Sequence, residues 1–487
     1  MKAYEIAAQI RSQEKTVLQV VEEHISQIQK VNSTLNAVIE TSYDQARESA
    51  RSKDQVIAKL SAEEKKNLPP LFGVPFTCKE MIANRGLRST MGSIHHRERV
   101  LQHNASVIDR ILAAGGIFLG TTNVPELGFW FECDNVVYGE TRNPYDLKRT
   151  CGGSSGGEGA IISAGASAFG IGSDIGGSIR LPAAFCGIFG HKPSDRVVPL
   201  TGHFPLYPET AHEIVGKKYP FTVMGPLARS AADLEILFRL IVGPDEIDQN
   251  TKTDFRFQSL VKDPEFLKVF FLPSPRIHGV SETEDDISRS VQHAARYLKE
   301  LGSSVEEADS KLFLRGLDFW TARAWSIEAQ EFTKYLSAGE PLSYHKEFLR
   351  LMLGRRKYTL PSLLTGFLDQ MVAERELIDD RLLDLQKFKS QLSRMLGRNG
   401  VILMPTHPRK APLLHSTYTR PFDFICTGVI NALGFPSTAV PMGLSSEGLP
   451  LSLQVVAAED QDHLCLSVAS MLETGFGGYQ APKASLS

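Results

Sequence analysis

Two clusters of serine and glycine lie close together in the chain, at residues 152–157 and 176–178. Glycine lets several backbone N–H groups converge on one point, because it adopts dihedral angles that a side chain would forbid. A serine hydroxyl beside converging N–H donors suits acyl transfer, which needs a nucleophile next to an oxyanion hole. The alternative interpretation is that these glycines only form tight turns between strands and helices.

The glycine pattern does not fit three other motifs. A phosphate-binding Walker loop needs a lysine after its second glycine, and this segment has none. A dinucleotide fingerprint fails because Ile175 stands where its third glycine would be. Residues 152–156 match the Gly-x-Ser-x-Gly elbow of α/β-hydrolases, but that elbow follows a hydrophobic strand. Residues 143–149 are polar and contain Pro144, so we exclude the elbow as well.

The segments around the clusters predict the elements that position them. A short apolar segment at residues 71–77 predicts a strand that delivers Lys79 at its end. From this pattern alone, the lysine either is a buried amine or leaves the sheet for solvent. Residues 158–167 are rich in small side chains and predict a close-packed helix behind the first serine cluster. Residues 169–172 predict a buried strand that leads to the turn holding Ser178.

Strand and helix patterns alternate along the rest of the chain. Apolar residues recur on one helical face over residues 17–28, which predicts a helix that Asn32 ends. Residues 286–301 predict another helix between two short strand patterns, and residues 451–457 predict a strand that closes the sheet. We therefore expect an α/β fold with one mixed central sheet covered by helices on both faces.

The composition of the 487 residues narrows the function classes. Hydrophobic residues make up 42% and charged residues 22%, which is ordinary for a globular protein. A net charge of −3 argues against a nucleic-acid partner. The six cysteines follow no metal-binding spacing and indicate reduced thiols. The N-terminus is neither a signal peptide nor a membrane span, so we expect a chain that is cytoplasmic or peripheral to a membrane.

Two longer motifs carry a family resemblance. GGSSGGEGA at residues 152–160 and GSDIGGSIRLPAAFCGIFGHKPS at residues 172–194 resemble the signature of the amidase family, the Ser–Ser–Lys hydrolases that include the fatty-acid amide hydrolases. GVPFTCKE at residues 73–80 resembles the lysine segment of that family. The likeness runs from about residue 5 to about residue 478 and is closest to the type-2 fatty-acid amide hydrolases. Further landmarks of the family occur at residues 120–126, 225–230 and 449–456.

The residues and the resemblance together predict a catalytic set. Ser178 is the predicted nucleophile, and the N–H groups of the turn around it form the predicted oxyanion hole (Ile175, Gly176, Gly177 and Ser178). The resemblance implies Lys79 as the base, acting through Ser154, and a cis peptide bond between Gly153 and Ser154. For Lys79 to accept a proton near neutral pH, burial must lower its pKa.

Four further residues are candidates for a role near this catalytic set. We expect Ser155 to hydrogen bond near the serine relay, and Arg180 to pair with a carboxylate such as Asp174 and brace the loop. The alternative for these residues is plain loop structure. His191 is the histidine nearest to Ser178 in the sequence, but it stands where the family usually has an apolar residue, so we do not expect it to be catalytic.

The resemblance implies a serine hydrolase that cleaves fatty-acid amides or similar lipophilic amides, and esters, without a metal or cofactor. Two enzymatic alternatives are a broad-specificity amidase for small amides and an amidotransferase of the A type. A non-catalytic binding protein is a third alternative. We also expect a homodimer, with a helical segment at residues 1–70 packing on an amidase domain at residues 71–487, whose catalytic core spans residues 71–230.

One apolar stretch, at residues 345–372, is a candidate for membrane contact. Pro361 fits the first turn of a second short helix in this stretch. A basic collar precedes that helix, which suits an interfacial helix pair on anionic lipid. The alternative is that both helices pack on the core. The predicted apolar stripe consists of Leu360, Leu363, Leu364, Phe367, Leu368 and Met371, and the collar of Arg350, Arg355, Arg356 and Lys357.

Overall fold

A mixed β-sheet organises the computed structural model, which describes residues 1–204, 221–326, 331–369 and 375–483. Its strands are β1 (Val38–Thr41), β2 (Pro75–Lys79), β3 (Ile117–Thr122), β4 (Phe169–Asp174), β5 (Phe189–Lys192), β6 (Val223–Ala228), β7 (Lys268–Phe271), β8 (Ser304–Glu307), β9 (Gly400–Pro405), β10 (Ser437–Leu444) and β11 (Pro450–Ala457). Within the described ranges these form one eleven-stranded sheet in the order β1-β3-β2-β4-β6-β5-β10-β11-β9-β7-β8.

The α-helices of the described residues surround this sheet. They are α1 (Ala3–Arg11), α2 (Val17–Leu35), α3 (Tyr43–Ile57), α4 (Ala62–Lys66), α5 (Ser106–Ala113), α6 (Gly156–Ser163), α7 (Arg180–Phe185), α8 (Ala231–Ile241), α9 (Asp285–Glu300), α10 (Gly316–Ser326), α11 (Glu331–Leu336), α12 (Tyr344–Met352), α13 (Leu360–Asp369), α14 (Arg375–Leu396), α15 (Ile425–Leu433) and α16 (Asp462–Phe476). Of the helices that the structure describes, none is both long and apolar enough to span a membrane.

Successive residues of the strands face two different hydrophobic cores. In β7, Val269 belongs to the larger core, which also takes residues of α9 and α16, whereas Phe270 belongs to a second core with residues of α14 and α15. In β9, Val401 and Ile402 divide in the same way. This alternation follows from the two-residue period of a strand. It confirms the predicted α/β fold, a mixed sheet with helices on both faces.

The three strands nearest to the serine clusters run parallel to one another. Strand β2 lies between β3 and β4, and Lys79 pairs with Thr122 at the end of β3. The carboxyl ends of parallel strands meet at the same edge of a sheet, so the end of β2 and the end of β4 lie side by side there. Every residue of β2 is buried, Lys79 included, so the lysine does not leave the sheet for solvent.

Two local predictions are wrong. Helix α2 continues past Asn32 to Leu35, because the Asn32 side chain does not break the helix but closes the turn beyond it. Its Oδ1 atom accepts hydrogen bonds from the N–H groups of Ala37 and Val38, both at 2.8 Å. Strand β11 was predicted to close the sheet, but it lies between β10 and β9. The reason is that β10, a strand that was not predicted, pairs with β11.

The N-terminal helices share the main core with β2, which carries Lys79, and with β3. Ile6 of α1 and Val20 of α2 belong to the same buried cluster as Phe76 of β2 and Leu119 of β3. The division of the chain at residue 70 stays a prediction.

Helices α11, α12 and α13 form a layer over the loops that follow β2 and β3, and we name these three helices the cap. Buried residues of the cap pack with Met81 and Leu127 in a separate hydrophobic cluster. The predicted apolar stripe of α13 is divided, since Leu363 is buried in that cluster whereas Leu364 and Phe367 are 41% and 37% exposed. The Leu368 side chain and Met371 lie outside what the structure describes.

Candidate active site

Lys79 forms the centre of the site, at the carboxyl end of β2. Its Nζ atom donates hydrogen bonds to Oγ of Ser154 at 2.7 Å and to Oγ of Ser173 at 2.9 Å. The side chain is buried, and desolvation lowers the pKa of Lys79 to about 7, although the negative charge of Asp174 opposes that shift. The amine therefore loses its proton near neutral pH.

The loop before α6 carries Ser154 and Ser155. The peptide bond between Gly153 and Ser154 is cis, as the resemblance implies. Ser155 lies against β4, where its hydroxyl is 3.3 Å from both the N–H and the carbonyl oxygen of Ser173. The Ser155 N–H donates to the carbonyl oxygen of Ser178 at 3.0 Å. This hydrogen bond brings the Ser154 loop and the Ser178 turn together.

The turn after β4 holds Ser178 at the edge of the site. Ser178 is 8% exposed, and its hydroxyl has no hydrogen-bond partner among the residues that the structure describes, Ser154 included. The N–H of Gly177 donates to Oδ1 of Asp174 at 2.7 Å. The N–H groups of Ile175, Gly176 and Ser178 donate to no residue in the described ranges. Three donors around Ser178 therefore stay available.

Asp174 and Arg180 form a fully buried ion pair behind this turn. Two hydrogen bonds of 3.0 Å join the guanidinium to the two carboxylate oxygens. Burial alone would raise the pKa of Asp174, but the Arg180 charge overrides burial and holds that pKa well below its usual range. Asp174 also accepts from the N–H groups of Gly177 and Ile179, so the ion pair supports the backbone of the turn.

A second buried acid lies behind the lysine strand. Glu158 of α6 accepts hydrogen bonds from the hydroxyl groups of Thr77 in β2 and Thr122 in β3, at 2.8 and 2.9 Å. With no cation bonded to it in the described structure, desolvation raises the pKa of Glu158 to about 8. The neutral acid thus joins α6 to the two strands next to Lys79.

His191 lies on β5 and belongs to a different network. Its Nδ1 atom is 2.8 Å from the Thr438 hydroxyl, and its Nε2 atom is 3.2 Å from Oδ1 of Asp462. Both groups are buried in the core. No hydrogen bond within the described structure connects His191 to Ser178, Ser154 or Lys79.

Some of the described residues that contact the predicted site were not predicted from the sequence, and Ser173, Trp320, Thr427 and Asn431 are four of them. Ser173 had a usable signal, because it stands near the end of β4, beside the strand that carries Lys79. The others come from α10 and α15, far along the chain, and no motif pointed to them. These three are Trp320, Thr427 and Asn431, which donate hydrogen bonds to the carbonyl groups of the Ser178 turn and of the residue before it.

The amidase family profile matches residues 19–466, so the chain belongs to the amidase family and is an amide-cleaving hydrolase. Human fatty-acid amide hydrolase 2 is 36% identical over 498 residues, which cover 99% of this chain and 90% of that protein. The A-type component of glutamyl-tRNA(Gln) amidotransferase from Prochlorococcus marinus is 28% identical over 490 residues, which cover 95% of each chain. The structure of 6-aminohexanoate cyclic dimer hydrolase with substrate superposes with a TM-score of 0.81 at 24% identity, over 99% of this chain and 98% of that one, which shows the shared fold.

Proposed function

We propose that this chain hydrolyses fatty-acid amides, or similar lipophilic amides, through an acyl-enzyme on Ser178. The observation that carries the proposal is the buried hydrogen bond of 2.7 Å between Lys79 and Ser154, with the pKa of Lys79 lowered to about 7. A lysine that is neutral at working pH can accept a proton, which an exposed lysine cannot do efficiently. Human fatty-acid amide hydrolase 2, at 36% identity, supports the choice of substrate class over the amidotransferase alternative at 28%.

In the first stage, the Ser178 oxygen attacks the amide carbonyl carbon. The Ser178 proton passes to Ser154, whose own proton passes to the neutral Lys79 amine. Negative charge develops on the carbonyl oxygen, where the free N–H groups of Ile175, Gly176 and Ser178 stabilise it. The Ser155–Ser178 backbone hydrogen bond supports this route, because it holds the two hydroxyl-bearing segments next to each other.

In the second stage, the proton returns along the same route to the leaving nitrogen, and the carbon–nitrogen bond breaks. The amine departs, and the acyl group remains as an ester on Ser178. Water then attacks this ester and gives a proton through Ser154 to Lys79. The proton returns by the same route to the Ser178 oxygen as the acyl–oxygen bond breaks and the carboxylic acid leaves. Because an ester carbonyl presents the same atoms to Ser178, we expect ester substrates to be cleaved as well.

The apolar surroundings of Ser154 support a lipophilic acyl group. A Cβ atom added at Gly128 would stand 2.7 Å from Sδ of Met81 and 3.5 Å from Oγ of Ser154, so these three residues meet. Met81 belongs to the hydrophobic cluster that continues into the cap, where the rings of Phe129 and Phe332 lie 4.5 Å apart. Apolar side chains thus extend from the serine relay to the cap.

The test is a comparison of Ser178→Ala with the wild type and with Ser163→Ala, which removes another buried hydroxyl outside the site. Ser178→Ala should lose amide hydrolysis by several orders of magnitude and should not react with a fluorophosphonate probe. Ser163→Ala should label and turn over normally. Retention of more than about a tenth of wild-type activity by Ser178→Ala would overturn the assignment. A panel of amides with graded acyl length then tests the preference for lipophilic chains.

We further propose peripheral membrane contact through the cap. On α12 and the following residue, Leu349, Met352 and Leu353 are 57%, 83% and 65% exposed, and on α13 Leu364 and Phe367 are also exposed. Exposed apolar side chains beside basic ones suit an interfacial helix pair.

Liposome co-sedimentation tests this contact. The wild type should pellet with anionic liposomes at low salt, whereas Leu364→Glu/Phe367→Glu should stay in the supernatant. A matched control is Leu413→Glu/Phe422→Glu, because those residues are 51% and 41% exposed outside the cap. Failure of the wild type to pellet would refute the membrane contact without affecting the catalytic proposal.

We also propose a homodimer. Leu377 and Leu383 of α14 are 45% and 52% exposed, and we propose that the dimer covers these apolar side chains. Sedimentation velocity should give a dimer for the wild type and a monomer for Leu377→Glu/Leu383→Glu. A wild-type monomer at all concentrations would contradict this proposal.

A further inference from the structure

Side chains outside the serine clusters hold three successive carbonyl groups in and next to the Ser178 turn. Nδ2 of Asn431 donates to the carbonyl oxygen of Asp174 at 3.1 Å. Nε1 of Trp320 donates to that of Ile175 at 3.0 Å. Oγ1 of Thr427 lies 2.7 Å from that of Gly176. Each carbonyl from residue 174 to residue 176 therefore has a donor from α10 or α15.

The direction of a carbonyl decides the direction of the next N–H. In a trans peptide unit, the C=O of one residue and the N–H of the next point in opposite directions. A carbonyl of Ile175 that points at Trp320 therefore turns the N–H of Gly176 away from Trp320. The carbonyl of Asp174, bonded to Asn431, turns the N–H of Ile175 away in the same manner. These are two of the three N–H groups around Ser178 that donate to no residue in the described structure.

Packing leaves the turn little freedom to rotate. A Cβ atom added at Gly176 would stand 3.1 Å from the Phe424 ring and 3.5 Å from Nε1 of Trp320. The rings of Trp320 and Phe424 themselves pack edge to face at 4.8 Å. A Cβ atom at Gly177 would stand 2.2 Å from Oγ1 of Thr427. Residues of α10 and of the start of α15 therefore pack directly against the turn.

We propose that Trp320 is a positioning residue that orients the Gly176 amide of the oxyanion hole for amide hydrolysis. This inference rests on the proposed function, because it assumes that the N–H groups around Ser178 bind the developing oxyanion. The indole N–H touches no reacting atom and acts only through the Ile175 carbonyl group. Thr427 differs, because the Gly176 carbonyl that it bonds directs the N–H of Gly177, which donates to Asp174. The Thr427 hydroxyl also lies 2.7 Å from the carbonyl oxygen of Phe424, so its single proton is shared, and Trp320 supplies the undivided hydrogen bond.

The decisive variant is Trp320→Phe, which keeps an aromatic ring but removes the N–H. We expect kcat for an amide substrate to fall about tenfold to a hundredfold, less than for loss of a complete oxyanion donor, with KM within about twofold. Thr427→Val should show a smaller loss, because the Gly176 carbonyl that it releases precedes the Gly177 N–H, which is already bonded to Asp174. Thr427→Ser, which keeps the hydroxyl, should restore activity. Trp130→Phe is the matched control, because that indole donates to Thr417 and not to the turn.

A second measurement separates positioning from damage to the fold. A trifluoromethyl ketone with the same acyl chain accepts the Ser178 oxygen at its carbonyl carbon, while the Ser178 proton passes to Lys79 through Ser154. The product carries the negative oxygen that the turn must bind. The inhibition constant of the trifluoromethyl ketone should rise in Trp320→Phe by the same factor by which kcat falls. The concentration of sites that a fluorophosphonate titrates should stay unchanged.

The outcomes are distinguishable from failure of the proposed function. Activity in Ser178→Ala would overturn the proposed function itself. If Ser178→Ala is inactive but Trp320→Phe keeps wild-type kcat and inhibitor affinity, the positioning role is wrong and the acyl-enzyme proposal stands. Trp320→Phe could also lose titratable sites while the remaining sites keep their affinity for the inhibitor. That result would overturn the positioning role as well, because it would show that part of the protein had misfolded. A parallel change in kcat and inhibitor affinity supports it.

Discussion

The pH dependence of hydrolysis should follow the protonation of Lys79. Desolvation lowers the pKa of this amine from 10.5 to about 7. Since only the neutral amine accepts a proton from Ser154, kcat/KM should rise with pH through about 7 and level off above it. Below that pKa, each pH unit should reduce kcat/KM about tenfold.

The burial of Lys79 sets the size of this effect. At pH 7 a lysine with an unshifted pKa is neutral in only about 0.03% of molecules. A pKa of about 7 makes roughly half of the molecules neutral, a gain of about three orders of magnitude in free base. Lys79→Ala should therefore lose about a hundredfold to ten-thousandfold in kcat/KM, the usual contribution of a general base.

The assay is a profile of kcat/KM from pH 5 to pH 9 for the wild type, Lys79→Ala and Lys79→Arg. The remaining activity of Lys79→Ala should keep rising with pH, because hydroxide must replace the base. Lys79→Arg should not restore activity, since a guanidinium stays protonated. Lys192→Met is the matched control, because that lysine is also buried and its pKa is lowered to about 8, yet its Nζ donates to the Pro193 carbonyl.

Three results would refute the reasoning about Lys79. One is a flat wild-type profile, and another is near-normal activity of Lys79→Arg. The third is loss of the acid limb in Lys192→Met, which would assign the titration to the other buried lysine.

Further predictions concern stability, each measured as the free energy of unfolding in urea. Glu158 keeps a proton in the folded state up to a pKa of about 8, whereas the unfolded carboxyl releases it near 4.5, so stability falls as pH rises through that window. The free energy of unfolding of Glu158→Gln should therefore exceed that of the wild type by roughly 4 kcal/mol at pH 8 and by little near pH 5. A difference in stability that does not change with pH would contradict this. Asp174→Asn should lose about 3–5 kcal/mol, because it leaves the Arg180 charge buried without its carboxylate, and a neutral effect would refute that. Gly157→Ala should lose about 1–3 kcal/mol, since its Cβ would stand 2.5 Å from the Asn123 backbone nitrogen, and wild-type stability would show that α6 can move away.

The residues of the proposed site could be predicted from the sequence because their motifs are local. Glycines must surround Ser154 and Ser178 for backbone groups to approach so closely, and that requirement is visible along a few consecutive residues. The apolar segment before Lys79 likewise predicted its strand. Local patterns failed at Asn32, where the helix continued. An asparagine side chain can bond the backbone within a helix end or beyond it, and only the position of the following turn decides which.

The tertiary structure alone decided which groups meet at the site. Ser173 reaches Lys79 because β4 pairs in parallel with β2, and the order of strands is not written in either segment. The pKa of Lys79 depends on complete burial, which is a property of all the surrounding elements together. Trp320 and Thr427 reach the Ser178 turn from helices far along the chain, through contacts that need the whole sheet and its covering helices in place. Local sequence therefore determined the groups of the proposed site, whereas long-range packing determined their protonation and the direction of the N–H groups around them.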